Sequence, residues 1–409
     1  MRIFRLDNPI QHYAWGSADG ITKALGIPNP DGGPFAELWM GAHPKAPSKV
    51  VADGERLGLN ELIERDPEGT LGARCVRRFG PELPFLFKAL SAGTPLSIQA
   101  HPCPRKAELG FERENLEGVP LAAPERIYRD PNSKPETSMA LTHLELLCGF
   151  RPTQEIVANI RALGPSKYGQ VCDRLERNPG RVDLSVFFYS VASSERQEKL
   201  DLLECAREKI VRLFAQEEIP AGREGAFTWA LRLMELFPGD IGALAPLLLN
   251  LVAIEPGESV FIAPGELHAY LSGTCLELMA NSDNVIRGAL TSKHVDLPEL
   301  VSVLSFNLER PVPMAAERIA EFEEAYPVLT PNFQLSRITL GAGDSWRRSS
   351  IGPEVLLCAR GRALLSGRES RGLELERSQS VFVAADAGAY SIYSEGDALV
   401  YRASVPEIP

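Results

Sequence analysis

Residues 1–152 carry apolar residues in short stretches, LPFLFKAL, PLSIQAH and SMALTHLELLCGF among them, separated by Gly- and Pro-rich segments. Stretches this short, bounded by turn formers, predict many strands arranged as a sandwich or barrel. The period changes after Arg151-Pro152. From about 153 to 250 apolar positions recur at three- and four-residue steps, which predicts helices. Leu200, Leu203, Ala206, Ile210 and Leu213 form one stripe, with Ser194 and Gln197 spaced as a capping box ahead of it. Ala226, Trp229, Leu233 and Phe237 form another, ended by Pro238-Gly239. Stripes of this kind are packing faces rather than cofactor boxes. Strand character returns at about 251 with IEPGESVFIAPGELHAYLSG, and a short helical patch is expected within 297–323 (LPELVSVLSF, AAERIAEFEEA). Beyond it, FQLSRITLGAGDSW, EVLLCARGRALL, LELERSQSVFVAADAG and YSIYSEGDALVYRASV are strand-length segments bounded by Gly, Ser or Asp.

The pattern predicts a mainly β protein with an α insertion. Residues 1–152 plus 251–325 would form a discontinuous β domain, 153–250 an inserted helical domain, and 326–409 a C-terminal β domain. A chain of 409 residues is long enough for two or three cores. With 44% hydrophobic and 24% charged residues, and no apolar run of membrane-spanning length, it reads as globular with no membrane partner. The N-terminal MRIFRLDNPIQ lacks the apolar stretch of a secretory signal. Seven cysteines without a CxxC pair argue against a disulfide framework, so a reducing cytoplasm is the expected setting. A net charge of −11 with no basic run argues against a nucleic-acid partner. An anionic small substrate requires a local cluster of cations.

All six histidines lie at or before His294, so the C-terminal β domain has no imidazole to offer a metal. Four segments carry candidate chemistry. In PLSIQAHP (95–102), Ser97, Gln99 and His101 fall on one strand face, either as a polar row that binds something or as a solvated strand end. In DPNSKPE (130–136), Lys134 and Glu136 share a face across a proline, as a strand entrance or a charged turn. In APGELHAY (263–270), His268 and Tyr270 share a face, and a Pro-Gly turn followed by a strand histidine recurs in cupin barrels. Gln99, His101, Glu136 and His268 together make a candidate set of two imidazoles and two oxygens, which suits zinc and other borderline divalent ions. With one anionic ligand the cation would remain a Lewis acid. Spacing alone does not bring the three segments together. The fourth segment, Glu277 to Lys293, holds Asp283, Arg287 and Lys293, which with Lys88 and Lys134 would supply the cations a phosphate needs.

These residues carry a family resemblance. YAWGS (13–17), PFLFKALSAGTPLSIQAHP (84–102), YRDPNSKPE (128–136), GELHAYLSG (265–273) and MANSDNVIRGALTSK (279–293) resemble the type I mannose-6-phosphate isomerases. The resemblance implies cupin-type jelly-roll β-barrels with a helical domain inserted in the catalytic one. It implies one zinc ion per chain on Gln99, His101, Glu136 and His268, with a sugar phosphate as the small-molecule partner. The family's arginine falls on Arg287; substrate contacts fall on Ser97, Lys134, Lys88, Tyr270, Asp283 and Lys293, with Trp15 on the pocket side. The reaction implied is aldose–ketose isomerisation through an enediol or enediolate, with Arg287 stabilising charge. Asp283, Glu277, Lys134 and a metal-bound water all stay open as the base.

Two departures are visible: Ser133 stands where the family block has histidine, and Arg287-Gly288-Ala289-Leu290-Thr291-Ser292-Lys293 differs from the usual Arg-Ala-Gly-Leu-Thr-Pro-Lys. Cys103, after His101-Pro102, is expected to be a bystander. The rival readings are a cupin oxidase using iron or manganese, an isomerase of another aldose, and a non-catalytic sugar-binding protein. The first is disfavoured because the first ligand is a glutamine and the glutamate lies 35 residues beyond His101. A monomer or weak oligomer is expected.

Overall fold

The structure is a computed structural model that describes residues 2–163, 169–367 and 372–406. Among the described residues, ten strands form the sheet that carries the candidate site. In chain order they are β1 (Ile10–Gln11), β2 (Glu37–Met40), β3 (Phe85–Ala92), β4 (Ile98–Ala100), β5 (Glu136–Ala140), β6 (Leu144–Phe150), β7 (Leu249–Ile254), β8 (Ser259–Ile262), β9 (His268–Ala280) and β10 (Ile286–Ala289). Every pairing in this sheet is antiparallel.

The 13-residue β9 organises the sheet. Its second half, Gly273–Ala280, lies between β3 and β5, whereas its first half, from His268, pairs with β4 and β6. The change of partners comes at Gly273, whose φ is +110° and where a Cβ would lie 2.4 Å from the His143 carbonyl oxygen. Only glycine tolerates both the conformation and the approach. The sheet wraps around an interior with two characters. Leu90, Leu144, Leu146, Val252, Ile254 and Val260 fill one part with apolar side chains. Lys88, Glu136, Ser138, His268, Tyr270 and Glu277 are all buried as well and make the rest polar.

Between β6 and β7 run six α-helices among the described residues: α1 (Thr153–Ala162), α2 (Gly169–Arg177), α3 (Arg181–Ala192), α4 (Arg196–Ala215), α5 (Glu224–Leu236) and the one-turn α6 (Ala245–Leu248). Leu203, Ala206, Ile210 and Leu213 are the buried stripe of α4, and Ala226, Trp229 and Leu233 that of α5. They share one core with Ile98, Leu267, Ile286 and Leu290 of the site sheet. The cap of α4 is one residue later than the sequence predicts: Glu195 and Glu198 form the box, while Ser194 Oγ donates to the Ser190 carbonyl and closes α3.

The C-terminal region builds a seven-stranded and a four-stranded sheet around its own core of Ile338, Leu356, Leu365, Val381 and Ile392. Two segments expected with the first β unit hydrogen-bond here instead. Ile3–Leu6 pairs with Ser380–Val383, and Glu323–Ala325 pairs with Gln334–Leu340. The expected helical patch is therefore helix only at Leu297–Val303; Glu317–Ala320 and Glu323–Ala325 are strands. Alanine and glutamate favour helix locally, but buried Glu323 accepts hydrogen bonds from Arg402 at 2.8 Å and Trp346 at 3.2 Å. Tertiary pairing overrides a weak propensity. The fold is the expected one of cupin-like β units with a helical segment between strands.

Candidate metal and substrate site

Cross-strand register assembles the site. Gln99 in β4 lies opposite His268 in β9 on one side and Arg287 in β10 on the other. Directly opposed residues present their side chains on one face, so a ligand-type amide, an imidazole and a guanidinium share a single row. His101 follows β4, and Glu136 opens β5. One ligand atom from each of His101, Glu136 and His268 lies within 4.8 Å of the others, and all three residues are buried.

Backbone carbonyls determine which nitrogens face the centre. His101 Nδ1 is 2.7 Å from the Asn284 oxygen, and His268 Nδ1 is 2.9 Å from the Glu266 oxygen. A carbonyl only accepts, so both Nδ1 atoms carry the proton and each neutral ring presents an Nε2 lone pair. Those lone pairs meet Glu136: His101 Nε2 is 3.2 Å from Oε1 and His268 Nε2 is 3.3 Å from Oε2. Glu136 Oε2 and His268 Nε2 are buried without a hydrogen-bond partner, two acceptors face to face. Burial disfavours such a pair strongly unless a cation lies between them. Burial and the Lys134 ammonium push His101 down to about 4, which keeps it a neutral ligand. Burial opposes ionisation of Glu136, but the Lys134 ammonium outweighs it and holds the carboxyl well below the usual range. Lys134 Nζ donates to Glu136 Oε1 at 2.6 Å and lies 3.5 Å from His101 Nε2. The donor set fits zinc: two locked imidazoles, one carboxylate and the Gln99 amide on the same face.

Also in the polar interior, Lys88 Nζ lies 3.1 Å from Glu277 Oε2 and 3.5 Å from Glu37 Oε1. Trp39 Nε1 donates to Glu37, Tyr270 donates to Glu277 at 2.9 Å, and Ser138 and Tyr270 share a hydroxyl contact. Burial works against the Lys88 charge, yet Glu37 and Glu277 outweigh it and hold the ammonium well above an ordinary lysine. Burial pushes the Glu277 carboxyl up. Lys88 is thus committed to two carboxylates and Tyr270 to one. Across both clusters three buried carboxylates, Glu37, Glu136 and Glu277, face two buried ammoniums, Lys88 and Lys134. That excess of negative charge is a second reason for the centre to take a cation. Lys88→Met is expected to destabilise the fold by about 3–5 kcal/mol, because Glu277 and Glu37 lose their counter-charge in the interior; urea unfolding measures it.

The site's outer wall is cationic. Half-buried Arg287 makes no hydrogen bond or ion pair among the described residues; burial, then Arg129, lowers its pKa. Exposed Lys293 is lowered first by Arg287, then by burial, Arg129 and Lys45. Unpaired cations that repel one another are stabilised by an anion. Asp283 is not among these free groups. Its carboxylate lies 2.8 Å from Lys45 Nζ and 3.4 Å from His43 Nε2, and these partners outweigh burial and hold the carboxyl well below the usual range. Ser97 is half-buried immediately before β4, and half-buried Trp15 stacks on Tyr13 with ring centroids 5.7 Å apart.

His43, Lys45, Arg129 and Asn284 are the participants that the sequence pattern missed. Asn284 is the most embedded: its side-chain oxygen accepts from the Arg129 backbone, its amide donates to the Asp130 and Asn132 carbonyls, and its own carbonyl orients His101. An asparagine in a polar run carries no local sign of these long-range bonds.

The catalytic-domain profile of type I phosphomannose isomerases matches residues 3–153. The mannose-6-phosphate isomerase of Escherichia coli (strain K12) is 37% identical over 395 residues, covering 96% of this chain and 97% of the relative. Mannose-6-phosphate isomerase 1 of Arabidopsis thaliana is 33% identical over 423 residues, covering 99% and 94%. The crystal structure of mannose 6-phosphate isomerase from Salmonella typhimurium bound to its substrate, fructose 6-phosphate, and zinc superposes with a TM-score of 0.88 at 35% identity, covering 99% of this chain and 100% of that one. Likeness of this extent, in sequence and in backbone together, establishes that the chain belongs to the type I phosphomannose isomerase family.

Proposed function

We propose that this chain interconverts mannose 6-phosphate and fructose 6-phosphate, using one zinc ion held by Gln99, His101, Glu136 and His268. The observation that carries the reading is the buried centre where two Nδ1-protonated imidazoles turn their lone pairs onto Glu136. A zinc ion bound there supplies Lewis acidity toward the oxygens on C1 and C2 of the sugar.

The chain's own residues do the rest. Arg287 and Lys293 are the unpaired cations at this wall, and they receive the phosphate and the charge that develops on the enediolate. The C2 proton of the open-chain aldose leaves carbon, and a proton returns to C1; the C2 hydroxyl proton moves to the C1 oxygen, so the exchange balances without a redox partner. Lys134 is positioned for proton transfer, since its ammonium already bridges Glu136 and the His101 nitrogen. Asp283 is engaged by Lys45 and His43, and its part is to fix those two side chains beside the site. Ser97 and Trp15 border the sugar. Lys88 and Tyr270 both bind Glu277 and shape the field in the buried interior next to the centre.

Among the described residues no helix is long and apolar enough to cross a membrane. All seven cysteines are free, in keeping with the reducing, cytoplasmic setting we propose.

The test is turnover of mannose 6-phosphate before and after exhaustive chelation, with zinc returned. Chelation is expected to lower kcat at least 100-fold, and stoichiometric zinc to restore it. Full activity in metal-free protein would remove zinc from the reading.

A further inference from the structure

The helical segment meets the site at one point. After α5 the chain passes through Asp240 into a short 3-10 turn, Ile241–Leu244, that abuts β10. The two carboxylate oxygens of Asp240 take different partners: Oδ1 accepts from the Gly242 N–H and Oδ2 from the Leu290 N–H, both at 2.8 Å. Leu290 directly follows β10, the strand of Arg287, and lies three residues before Lys293. Its φ is +54°, a left-handed conformation that a side chain disfavours. Between Arg287 and Ala289 the register with β4 shifts, so Gly288 is a bulge that re-aims the strand. Gly242 lies so close to this bulge that a Cβ there would be 2.4 Å from the Ala289 side chain.

A cavity of about 50 Å³, lined by Ile98, Leu244, Leu267, Gly288 and Ala289, lies behind the strand pair that carries Gln99 and Arg287. The left-handed Leu290 and the bulge before it are tied to the helical segment by the directional bond from Asp240.

We infer that Asp240 is a positioning residue: by clamping the Leu290 N–H to the Gly242 turn, it makes the helical segment set the placement of Arg287 and Lys293 over the site. The inference rests on the reading of those two cations as the groups that hold the sugar phosphate. In Asp240→Asn the amide nitrogen is a donor, so only one of the two N–H groups keeps an acceptor.

The experiment is a double-mutant cycle on the zinc-loaded enzyme with Asp240→Asn and Arg287→Ala, reading kcat, KM and zinc content. Asp240→Asn is expected to lower kcat/KM at least tenfold with zinc content unchanged, and to lower it less than twofold further in the Arg287→Ala background. Equal losses in both backgrounds would overturn the inference, because a general loosening of the fold multiplies rather than saturates. Wild-type kcat/KM in Asp240→Asn would overturn it as well, provided Arg287→Ala is impaired. If Arg287→Ala itself keeps wild-type kcat/KM, the underlying reading of the cations fails instead. Should Asp240→Asn not fold, Gly242→Ala displaces the same contact from the other side and is expected to lower kcat/KM at least fivefold with the same saturation. Failure of both to fold would overturn the inference by making the contact a support of the fold rather than of the site.

Discussion

Arg287→Ala is expected to lower kcat/KM by about 10³-fold, roughly 4 kcal/mol of transition-state stabilisation, while leaving the zinc content and the unfolding midpoint unchanged. The separation of activity from stability follows from what Arg287 touches. It has no hydrogen-bond or ion-pair partner among the described residues, so its removal orphans no protein group. Burial and the neighbouring Arg129 both oppose its charge, so the folded chain without substrate gains nothing from it. A cation kept in such a place is stabilised only when an anion arrives, and a dianionic sugar phosphate that becomes an enediolate is an anion of that kind. Steady-state kinetics with metal analysis of the same sample checks both halves. Wild-type turnover would remove Arg287 from the chemistry, and loss of zinc would recast it as support for the metal centre.

His268→Ala is expected to give the opposite pairing, with metal and activity lost together. The side chain supplies one of the two locked lone pairs, and its Nε2 has no partner within the protein. Without it, three candidate ligands remain and Glu136 keeps Lys134 as its counter-ion. Zinc is expected to fall below one-tenth of an equivalent after passage through metal-free buffer, with activity down by about 10³-fold or more. The fold loses the bond to the Glu266 carbonyl, about 1 kcal/mol, together with the packing of a buried ring against His101. His143→Ala is the control: that imidazole is exposed and meets Glu255 at 2.8 Å, so zinc and rate are expected to stay at wild-type levels. Full zinc occupancy in His268→Ala would show that the cation is held elsewhere.

The parts of the site differ in how far they could be read from the chain. Ser97, Gln99 and His101, and likewise Lys134 and Glu136, lie close together in sequence, and strand alternation aligns neighbours of this kind whatever the surrounding fold. Gln99 facing both His268 and Arg287 is a matter of register between strands far apart in sequence, and no local pattern contains it. Charge shows the same division. Lys88, Asp283, Arg287 and Lys293 look alike as polar members of a run. Only the fold pairs the first with Glu277 and Glu37, the second with Lys45 and His43, and leaves the other two without partners.

Local rules fared as their energies suggest. The stripes of α4 and α5 buried as predicted except at Leu200 and Phe237, which are half-buried, because hydrophobic burial at helical spacing is worth several kcal/mol per helix. The helical expectation at 317–325 failed because propensity differs by tenths of a kcal/mol per residue, less than the Glu323–Arg402 pairing inside the C-terminal core decides.

By itself, then, the sequence determined the alternation of β and helical segments, the ligand types and their short-range faces, since these depend on periodicity and side-chain chemistry. The tertiary structure decided which cations stay unpaired, which ring nitrogens turn inward, and how Asp240 reaches the Arg287 strand. Those depend on backbone groups brought together from distant parts of the chain, and a carbonyl or an N–H has no letter of its own.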